Sequence, residues 1–312
     1  MSICNKTFFY TFTFLKSKII STETHIATLQ KTPIRFQEYG IGIFIGISTK
    51  SALKKAVKKG LVYIDGKKAT TATFINGAEE ITYHKPKENQ NKKKLDLELE
   101  VIYQDNYLAV INKPAGILVS GNSFKTIDNA LEQNIVKSTL ADATKPRPTH
   151  RLDYPTTGLL LIGKTSASIL ALNKLFENKK ITKTYLAVTI GKMPVKGIIS
   201  TIVDNKEALS KYNVIKSVAS KRFSYLNLVK LKPETGRKHQ LRVHLSSIGN
   251  PILGDAQYGL EDKIIKGKGL YLHAYSLDFI HPFTNKKMSL KKVPHKKFTK
   301  LFPTPLDYDF SV

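Results

Sequence analysis

Asp153 is the acidic residue whose surroundings in the sequence most favour a constrained, reactive position. It lies within HRLDYPTTGLLLIGKT, residues 150–165, between prolines that do not fit a regular helix. A glycine then opens the apolar run 159–162, which is typical of a buried strand. The pattern predicts that Asp153 lies on a loop at the mouth of a sheet. It also fits a simple turn in which Asp153 and Arg151 form a salt bridge.

A second block, PETGRKHQLRVHLSSIGNPILGDAQYG at residues 233–259, contains two arginines and two histidines around a predicted helix. His239 and Arg242 are three residues apart and therefore share one face of that helix. An arginine in this position can form a bidentate pair with a carboxylate on the loop, which would keep the acid ionised in a desolvated cleft. The helix ends at Gly249, and its core-facing residues are expected to be Leu241, His244, Leu245 and Ile248.

Five blocks of the sequence resemble, in the same order, the RluA-like pseudouridine synthases, which isomerise specific uridines in structured RNA. The blocks are VINKPAGILVS (110–120), HRLDYPTTG (150–158), KTYLAVTIG (183–191), TGRKHQLRVHL (235–245) and GNPILGDAQYG (249–259). Five ordered blocks rarely coincide by accident. The resemblance covers residues 98–300. It implies an α+β catalytic domain built on a mixed, largely antiparallel sheet.

The resemblance implies catalytic roles for three residues. Asp153 matches the catalytic aspartate, Arg242 the arginine that pairs with it, and Tyr185 the tyrosine that stacks on the target base. Considered from its strand alone, Tyr185 also fits a core aromatic residue. Asp153 would act on the ribose either as a nucleophile at the anomeric carbon or as a base that gives a glycal, and both routes stay open. Thr157 stands where the family usually has serine and keeps the hydroxyl.

Four further residues are expected around the base-flipping, RNA-binding rim. Arg151 matches the family's base-displacing arginine, and its flat guanidinium can stack in the gap left by a flipped uridine. His150 and His239 are expected to brace the loop by hydrogen bonds, and Arg237 to pair with phosphate or carboxylate. Lys113 is expected to buttress the site. The sequence has no glycine-rich phosphate loop, paired-cysteine motif or zinc-spaced histidines, so we expect no cofactor and no metal.

The charge of the chain favours a polyanionic partner. Its 312 residues include 50 basic and 24 acidic side chains, which gives a formal net charge of +26. Because the sequence shows no apolar run of membrane-spanning length, we expect RNA and no membrane. Cys4 is the only cysteine, so no intrachain disulfide can form, and a reducing cytoplasm is the expected setting. We also expect a monomer.

Residues 31–83 are expected to form an accessory RNA-binding module. Thr49 or Ser48 can cap a helix over residues 50–59, in which Ala52, Leu53, Ala56 and Val57 form the buried stripe. The rest of the helix surface is Lys50, Lys54, Lys55, Lys58 and Lys59, which repel one another unless a polyanion binds. The block resembles the small alpha-L RNA-binding fold, although Arg35 is followed by phenylalanine rather than by the leucine and aspartate of that fold. The module therefore either binds RNA or mainly orients the catalytic domain. Its presence favours ribosomal over transfer RNA.

The domain organisation predicted from these patterns has four parts. Residues 1–30 would be a poorly ordered extension, 31–83 the small α/β module, 84–96 a lysine-rich linker and 97–312 the catalytic domain. Strands are predicted over residues 97–103, 107–111, 159–162, 183–190, 223–231, 270–277 and 287–291, and helices over 126–140, 166–178 and 238–248.

Two other functions remain open. The first is a non-catalytic RNA-binding or ribosome-assembly factor that uses the same basic surfaces. The second is a nucleoside or glycoside hydrolase, since a glycosidic bond is cut in both reactions. A typical hydrolase needs two carboxylates flanking the bond, and beside Asp153 the motif blocks offer only Asp255.

Overall fold

The computed structural model describes residues 19–86, 95–265 and 267–302. Contacts between residues divide the chain into two units, one of residues 1–93 with 141–144 and one of residues 94–140 with 145–312. Part of the expected extension, 1–18, and most of the expected linker, 87–94, lie outside the described residues.

The first unit combines short strands with two helices. In chain order these are β1 (Ile19–Ile26), β2 (Ile34–Arg35), α1 (Phe36–Tyr39), α2 (Lys50–Lys58), β3 (Val62–Ile64), β4 (Lys67–Lys68), β5 (Phe74–Ile75) and β6 (Glu80–Pro86). One sheet has the order β1-β6-β3-β4, and β2 pairs with β5. Helix α2 begins as expected, because the Thr49 side chain accepts a hydrogen bond from the Ala52 N–H. Its buried face, Leu53 and Ala56, packs into the core of the unit.

The expectation for residues 1–30 needs a correction. Ile19–Ile26 forms β1, which pairs antiparallel with β6 over almost its whole length. The segment is rich in β-branched residues, which favour a strand, and it covers an edge of β6 that would otherwise expose unpaired backbone groups. The two strands are about 60 residues apart in the sequence, so the local pattern of residues 19–26 could not predict that they pair.

The second unit contains the remaining described elements, although residues 143 and 144, which begin one of its strands, group with the first unit. They are β7 (Glu100–Gln104), β8 (Leu108–Lys113), α3 (Ile127–Asn134), β9 (Ala143–Pro148), β10 (Thr157–Thr165), α4 (Ser166–Glu177), β11 (Thr182–Ile190), β12 (Lys196–Val203), β13 (Lys206–Ser220), β14 (Ser224–Pro233), α5 (Gln240–Ser247), β15 (Leu272–Ile280), β16 (Lys287–Lys291) and α6 (Lys296–Thr299). A 3₁₀ turn covers Glu261–Lys263.

One ten-stranded sheet organises this unit. Its order is β12-β13-β14-β11-β15-β10-β8-β7, with β16 paired to β15 and β9 to β10. Neighbours along the order are antiparallel except β10 and β15, which are parallel. The expected mixed, largely antiparallel α+β fold is thereby confirmed.

The apolar run of β10 is continuous because both faces of the sheet are covered there. Leu160 and Ile162 belong to one buried cluster, whereas Leu159 and Leu161 belong to another on the opposite face. Alternating side chains of a strand point to opposite faces, so a strand buried on both sides needs no polar residues. This rigid central strand begins directly after the loop that carries Asp153.

Three strands of the second unit escaped prediction. In β9 the prolines suggested a loop, yet a strand tolerates proline where its N–H is not needed for pairing. The long hairpin of β12 and β13 turns at Asp204 and Asn205, both with left-handed backbone angles, φ +55° and +56°. That pair is a sequence signal for a two-residue hairpin turn.

The expectation that Ile248 faces the core is wrong, because α5 ends at Ser247 and Ile248 is 38% exposed.

Candidate active site

Lys113, the last residue of β8, is hydrogen-bonded to the loop that carries Asp153. Its side chain is fully buried, and Nζ donates hydrogen bonds to the carbonyl oxygens of Pro114, Tyr154 and Thr156 at 2.9, 3.2 and 2.9 Å. An ammonium group has three protons, so every donor is used. Burial lowers the pKa of Lys113 to about 8, against the opposing influence of the Asp153 charge. The expected buttress is thus a lysine that fixes the part of the loop directly after Asp153, through the carbonyls of Tyr154 and Thr156.

Gly158 sets the direction in which the chain leaves this loop. Its φ is +111°, and a Cβ at this position would lie 2.3 Å from the carbonyl oxygen of Ala274 on β15. No other residue fits such an approach between two backbones. One turn earlier, the Thr156 N–H donates to the Asp153 carbonyl at 3.1 Å. The carboxylate is therefore presented at the mouth of the sheet, as the sequence predicted.

Helix α5 supplies the opposite side of the site. Arg242 Nη1 lies 3.6 Å from Asp153 Oδ2, and His239 Nε2 lies 3.8 Å from Asp153 Oδ1. The Asp153 side chain is 17% exposed and that of Arg242 is 6% exposed, so water screens their attraction only in part. Burial lowers the pKa of His239, which favours the neutral imidazole. The predicted shared helix face is wrong, because His239 is the left-handed N-cap residue before α5, yet both side chains lie close to the predicted carboxylate.

The bidentate pair expected between Arg242 and Asp153 is instead made with Asp255. Arg242 Nε and Nη2 each donate to one oxygen of Asp255 at 2.8 Å, and the Asp255 side chain is completely buried. Asp255 also accepts from the backbone N–H groups of Gln257 and Tyr258 at 3.0 and 3.1 Å. The pKa of Asp255 is lowered because these hydrogen bonds and the guanidinium charge outweigh its burial. Two nitrogens of the Arg242 guanidinium, Nε and Nη2, are bonded to Asp255, so Asp153 faces the remaining nitrogen, Nη1.

Tyr185 lies on β11, where it pairs with Leu231 of β14 and Ala274 of β15. Its ring is half-buried between two of the apolar clusters. Burial raises the pKa of the Tyr185 phenol, and the nearby negative charge of Asp153 raises it further, so the hydroxyl keeps its proton at neutral pH. The three residues expected to be catalytic, Asp153, Tyr185 and Arg242, therefore occupy one site.

The expected rim residues divide into inward-facing and outward-facing groups. His150 accepts a hydrogen bond from the Leu161 N–H at 3.0 Å and packs on the ring of Phe176, and burial lowers its pKa to about 3. The structure thus gives His150 the bracing position that was expected, and its assignment to the RNA-binding rim stays a prediction. Arg151 is exposed, and Arg237 Nε donates to the carbonyl of Glu207 at 3.2 Å.

His239 is held in place by a neighbour that the sequence had not singled out. Its Nδ1 is hydrogen-bonded to the hydroxyl of Tyr258 at 2.9 Å. The Tyr258 ring also lies under the Arg242 guanidinium, 4.9 Å from ring centroid to Cζ. Tyr258 therefore contacts both side chains that face Asp153, the N-cap residue His239 and Arg242 of α5. The block GDAQYG, which contributes Asp255 and Tyr258, was visible in the sequence but gave no signal of which side chains it would orient.

Thr157, the residue expected to keep the family's hydroxyl, uses it inside the protein. Its Oγ1 is hydrogen-bonded to His273 Nδ1 at 2.8 Å, and His273 Nε2 donates to the carbonyl of Lys292 at 2.8 Å. Burial lowers the pKa of His273 to about 4, so the neutral ring accepts a hydrogen bond from the Thr157 hydroxyl. The hydroxyl therefore ties the start of β10 to β15.

In the first unit, the lysines of the predicted RNA-binding surface are all exposed: Lys50, Lys54, Lys55, Lys58 and Lys59. Lys50 forms an ion pair with Glu38 of α1. Among the described residues, the other four form no ion pair with an acidic side chain; three lie on α2 and Lys59 is its C-cap residue.

The site can act on a substrate with one carboxylate, one guanidinium and one protonated phenol. Within the described ranges, no group of three or more histidine, cysteine or acidic side chains is placed to hold a metal ion. None of the described helices has the length and apolar character required to cross a membrane.

Comparison with known proteins identifies the family. The RNA pseudouridylate synthase family matches residues 107–247. Ribosomal large subunit pseudouridine synthase D of Buchnera aphidicola is 34% identical over 273 residues, which are 77% of this chain and 84% of that protein. The tRNA pseudouridine synthase C of Vibrio parahaemolyticus is 32% identical over 243 residues, 68% of this chain and 97% of that protein. The human RNA pseudouridylate synthase domain-containing protein 4 superposes with a TM-score of 0.52 at 27% identity, covering 64% of this chain and 90% of that chain. The chain therefore belongs to the RNA pseudouridine synthases, a family of RNA-acting isomerases.

Proposed function

We propose that this enzyme isomerises specific uridines of ribosomal RNA and that Asp153 reacts with the ribose. The observation that carries the proposal is the position of Asp153, on a loop locked by Lys113 and facing Arg242 at 3.6 Å. When RNA closes the cleft, the positive charge of a fixed guanidinium offsets the loss of water around the neighbouring carboxylate. One carboxylate in a rigid frame is what the isomerisation requires.

In the proposed reaction, the bond between the ribose anomeric carbon and N1 of uracil breaks, the base turns, and the same carbon bonds to C5. C5 then loses its proton and N1 gains one, so no atoms are exchanged with a second substrate. Asp153 either bonds to the anomeric carbon or removes the neighbouring ribose proton. The Tyr185 ring stacks on the uracil, and its hydroxyl lies near the C5 proton.

Base flipping is assigned to Arg151. The target uridine must leave its stack before Asp153 can reach its ribose, at a cost of a few kcal/mol. Arg151 is exposed and lies two residues before Asp153, so its planar guanidinium can occupy the vacated space and contact phosphate. His239 and Arg237 lie just before α5, and we assign them to the adjoining part of the RNA-binding surface.

The preference for ribosomal RNA rests on two supports. Relatives named as large-subunit pseudouridine synthases match most of this chain, although a tRNA synthase does too. The first unit adds the exposed lysines of α2, which suit a large, structured RNA. We propose that this unit binds RNA in the manner of an alpha-L module, and that the enzyme works as a monomer in the cytoplasm.

The hydrolase alternative is disfavoured by Asp255. That carboxylate, the only second candidate in the motif blocks, is fully buried and accepts from Arg242 and two backbone N–H groups. A general acid or base must reach the scissile bond, and Asp255 is occupied in orienting Arg242. The site therefore offers one carboxylate to a substrate.

The test uses the purified full chain and an unmodified transcript of large-subunit ribosomal RNA. Pseudouridines are located by chemical labelling, and RNA affinity is measured in parallel. Asp153→Asn and Asp153→Ala are expected to lower pseudouridine formation by roughly 10³-fold or more while affinity changes little. Asp262→Asn, an exposed carboxylate of the 3₁₀ turn, is the matched control and should act like wild type.

Each other outcome identifies a different function. An Asp153→Ala enzyme that still forms pseudouridine refutes the assigned catalytic role. A wild-type protein that binds the RNA without changing any uridine would be a non-catalytic factor. Release of free uracil would indicate a hydrolase.

A further inference from the structure

Lys183, the second residue of β11, carries a half-buried ammonium group that lacks a counter-charge. Across residues 19–86, 95–265 and 267–302, it makes neither a hydrogen bond nor an ion pair. Its pKa is lowered, and burial is the cause. Other buried lysines of the unit are satisfied: Lys164 donates to the carbonyl of Asp105, and Lys297 to those of Lys268 and Leu270.

Three neighbours locate this ammonium at the wall of the active site. Tyr185 is two residues further along β11, so both side chains lie on one face of the sheet. A Cβ on Gly236 would lie 3.8 Å from Lys183 Nζ, which places the ammonium against the segment that leads into α5. The charge of Lys183 also helps to lower the pKa of His150, the residue before Arg151. Lys183 therefore lies between the Asp153 loop and the helix that carries Arg242.

A partly buried charge without a partner is costly, because the protein withdraws water without replacing it. A lysine with a purely structural purpose would find a carbonyl or carboxylate, as Lys113 does. Gly236, which lies next to the ammonium, has no side chain that could pair with it. An anion that arrives from outside would restore the missing counter-charge. In an enzyme that acts on RNA, that anion is a phosphodiester.

We propose that Lys183 binds a backbone phosphate of the RNA next to the uridine whose ribose meets Asp153. The inference rests on the proposed function, because RNA seated at Asp153 is what brings a phosphate to this wall. Lys183 would act as a point charge that fixes the register of the strand. Arg151, on the same side of the site, is left free for the gap in the base stack.

Lys183→Met tests the proposal, since methionine keeps an apolar stem and removes the charge. The thermal unfolding temperature should equal or exceed that of wild type, because an unpaired buried charge is lost. The dissociation constant for a fluorescein-labelled transcript of unmodified large-subunit ribosomal RNA should rise roughly 3- to 30-fold. A plot of log affinity against log salt concentration should become shallower by about one unit, as one phosphate contact disappears.

Lys164→Met is the matched control. It removes a buried lysine of the same unit whose ammonium is bonded to the Asp105 carbonyl. This variant should unfold at a lower temperature than wild type while its salt slope stays unchanged. Lys183→Arg, which restores a positive charge, should recover most of the slope.

Two results would overturn the assignment. One is a Lys183→Met protein with the wild-type salt slope. The other is a loss of thermal stability like that of Lys164→Met, which would give Lys183 a structural purpose. Pseudouridine formation by wild type is measured on the same transcript. Binding without modification would refute the proposed function, and the slope comparison would still decide whether Lys183 contacts phosphate.

Discussion

Replacing Asp255 by asparagine removes the partner that orients Arg242. The two hydrogen bonds between these side chains measure 2.8 Å each, and both groups are buried. Asparagine keeps the shape but replaces one acceptor oxygen by an NH₂ group. That group would face N–H donors of Arg242 or of the backbone at Gln257 and Tyr258. The variant therefore removes the bidentate partner of a buried guanidinium and leaves only the more distant charge of Asp153.

Breaking a buried pair of this kind costs about 3–5 kcal/mol in the free energy of unfolding. For a chain of this size that corresponds to a fall in Tm of roughly 6–20 °C. The sign of the pH dependence follows from the lowered pKa of Asp255: its stabilisation is present above the unfolded pKa and is lost as pH falls through the folded value. The gap in stability between wild type and Asp255→Asn should therefore be largest near neutrality and shrink in acid.

Urea denaturation at a series of pH values measures this gap. Asp262→Asn is the control, because Asp262 is an exposed carboxylate of the 3₁₀ turn and its replacement should cost less than ~1 kcal/mol. Pseudouridine formation by Asp255→Asn should also fall, since Arg242 loses its fixed direction toward Asp153. A variant as stable and as active as wild type would refute the view that Asp255 orients the Arg242 guanidinium. A gap that persisted unchanged in acid would refute the pKa argument.

Three further predictions concern the Tyr185 hydroxyl, Gly158 and the lysines of α2. Tyr185→Phe should lower pseudouridine formation by about 10²-fold or more while RNA affinity stays within threefold, and unchanged turnover would show that the hydroxyl is dispensable. Gly158→Ala should lower the free energy of unfolding by about 3 kcal/mol, because its Cβ would meet the Ala274 carbonyl at 2.3 Å; a wild-type urea midpoint would contradict the fit argued for this glycine. The triple variant Lys54→Gln, Lys55→Gln, Lys58→Gln should flatten the salt dependence of RNA affinity by about 2–3 units and leave turnover at saturating RNA unchanged, and an undiminished slope would exclude α2 from RNA binding.

Local pattern predicted most of the second unit. The glycine-to-apolar transition located β10, and the apolar spacing located the helix that carries Arg242. These features depend on neighbouring residues, so a local pattern contains them. The roles assigned to the site residues are still predictions, since they came from the family resemblance and await the tests above.

Other features depend on contacts that a local pattern does not contain. Whether Arg242 directs its fork to Asp153 or to Asp255 is decided by how α5 and the following loop pack, which sets distances of 3.6 and 2.8 Å. The pairing of β1 with β6 likewise joins segments far apart in the chain. The absence of a partner for Lys183 could be recognised only after its surroundings were known.

The triply bonded ammonium of Lys113 has a consequence for how binding energy is used. Because two carbonyls of the Asp153 loop are held by this lysine, the segment after Asp153 has little freedom left to lose when RNA arrives, so association costs almost no ordering entropy there. In the proposed mechanism, the favourable energy of phosphate contacts then remains available for lifting a uracil out of its helix. Preorganisation of the enzyme thus lowers the barrier to deforming its partner.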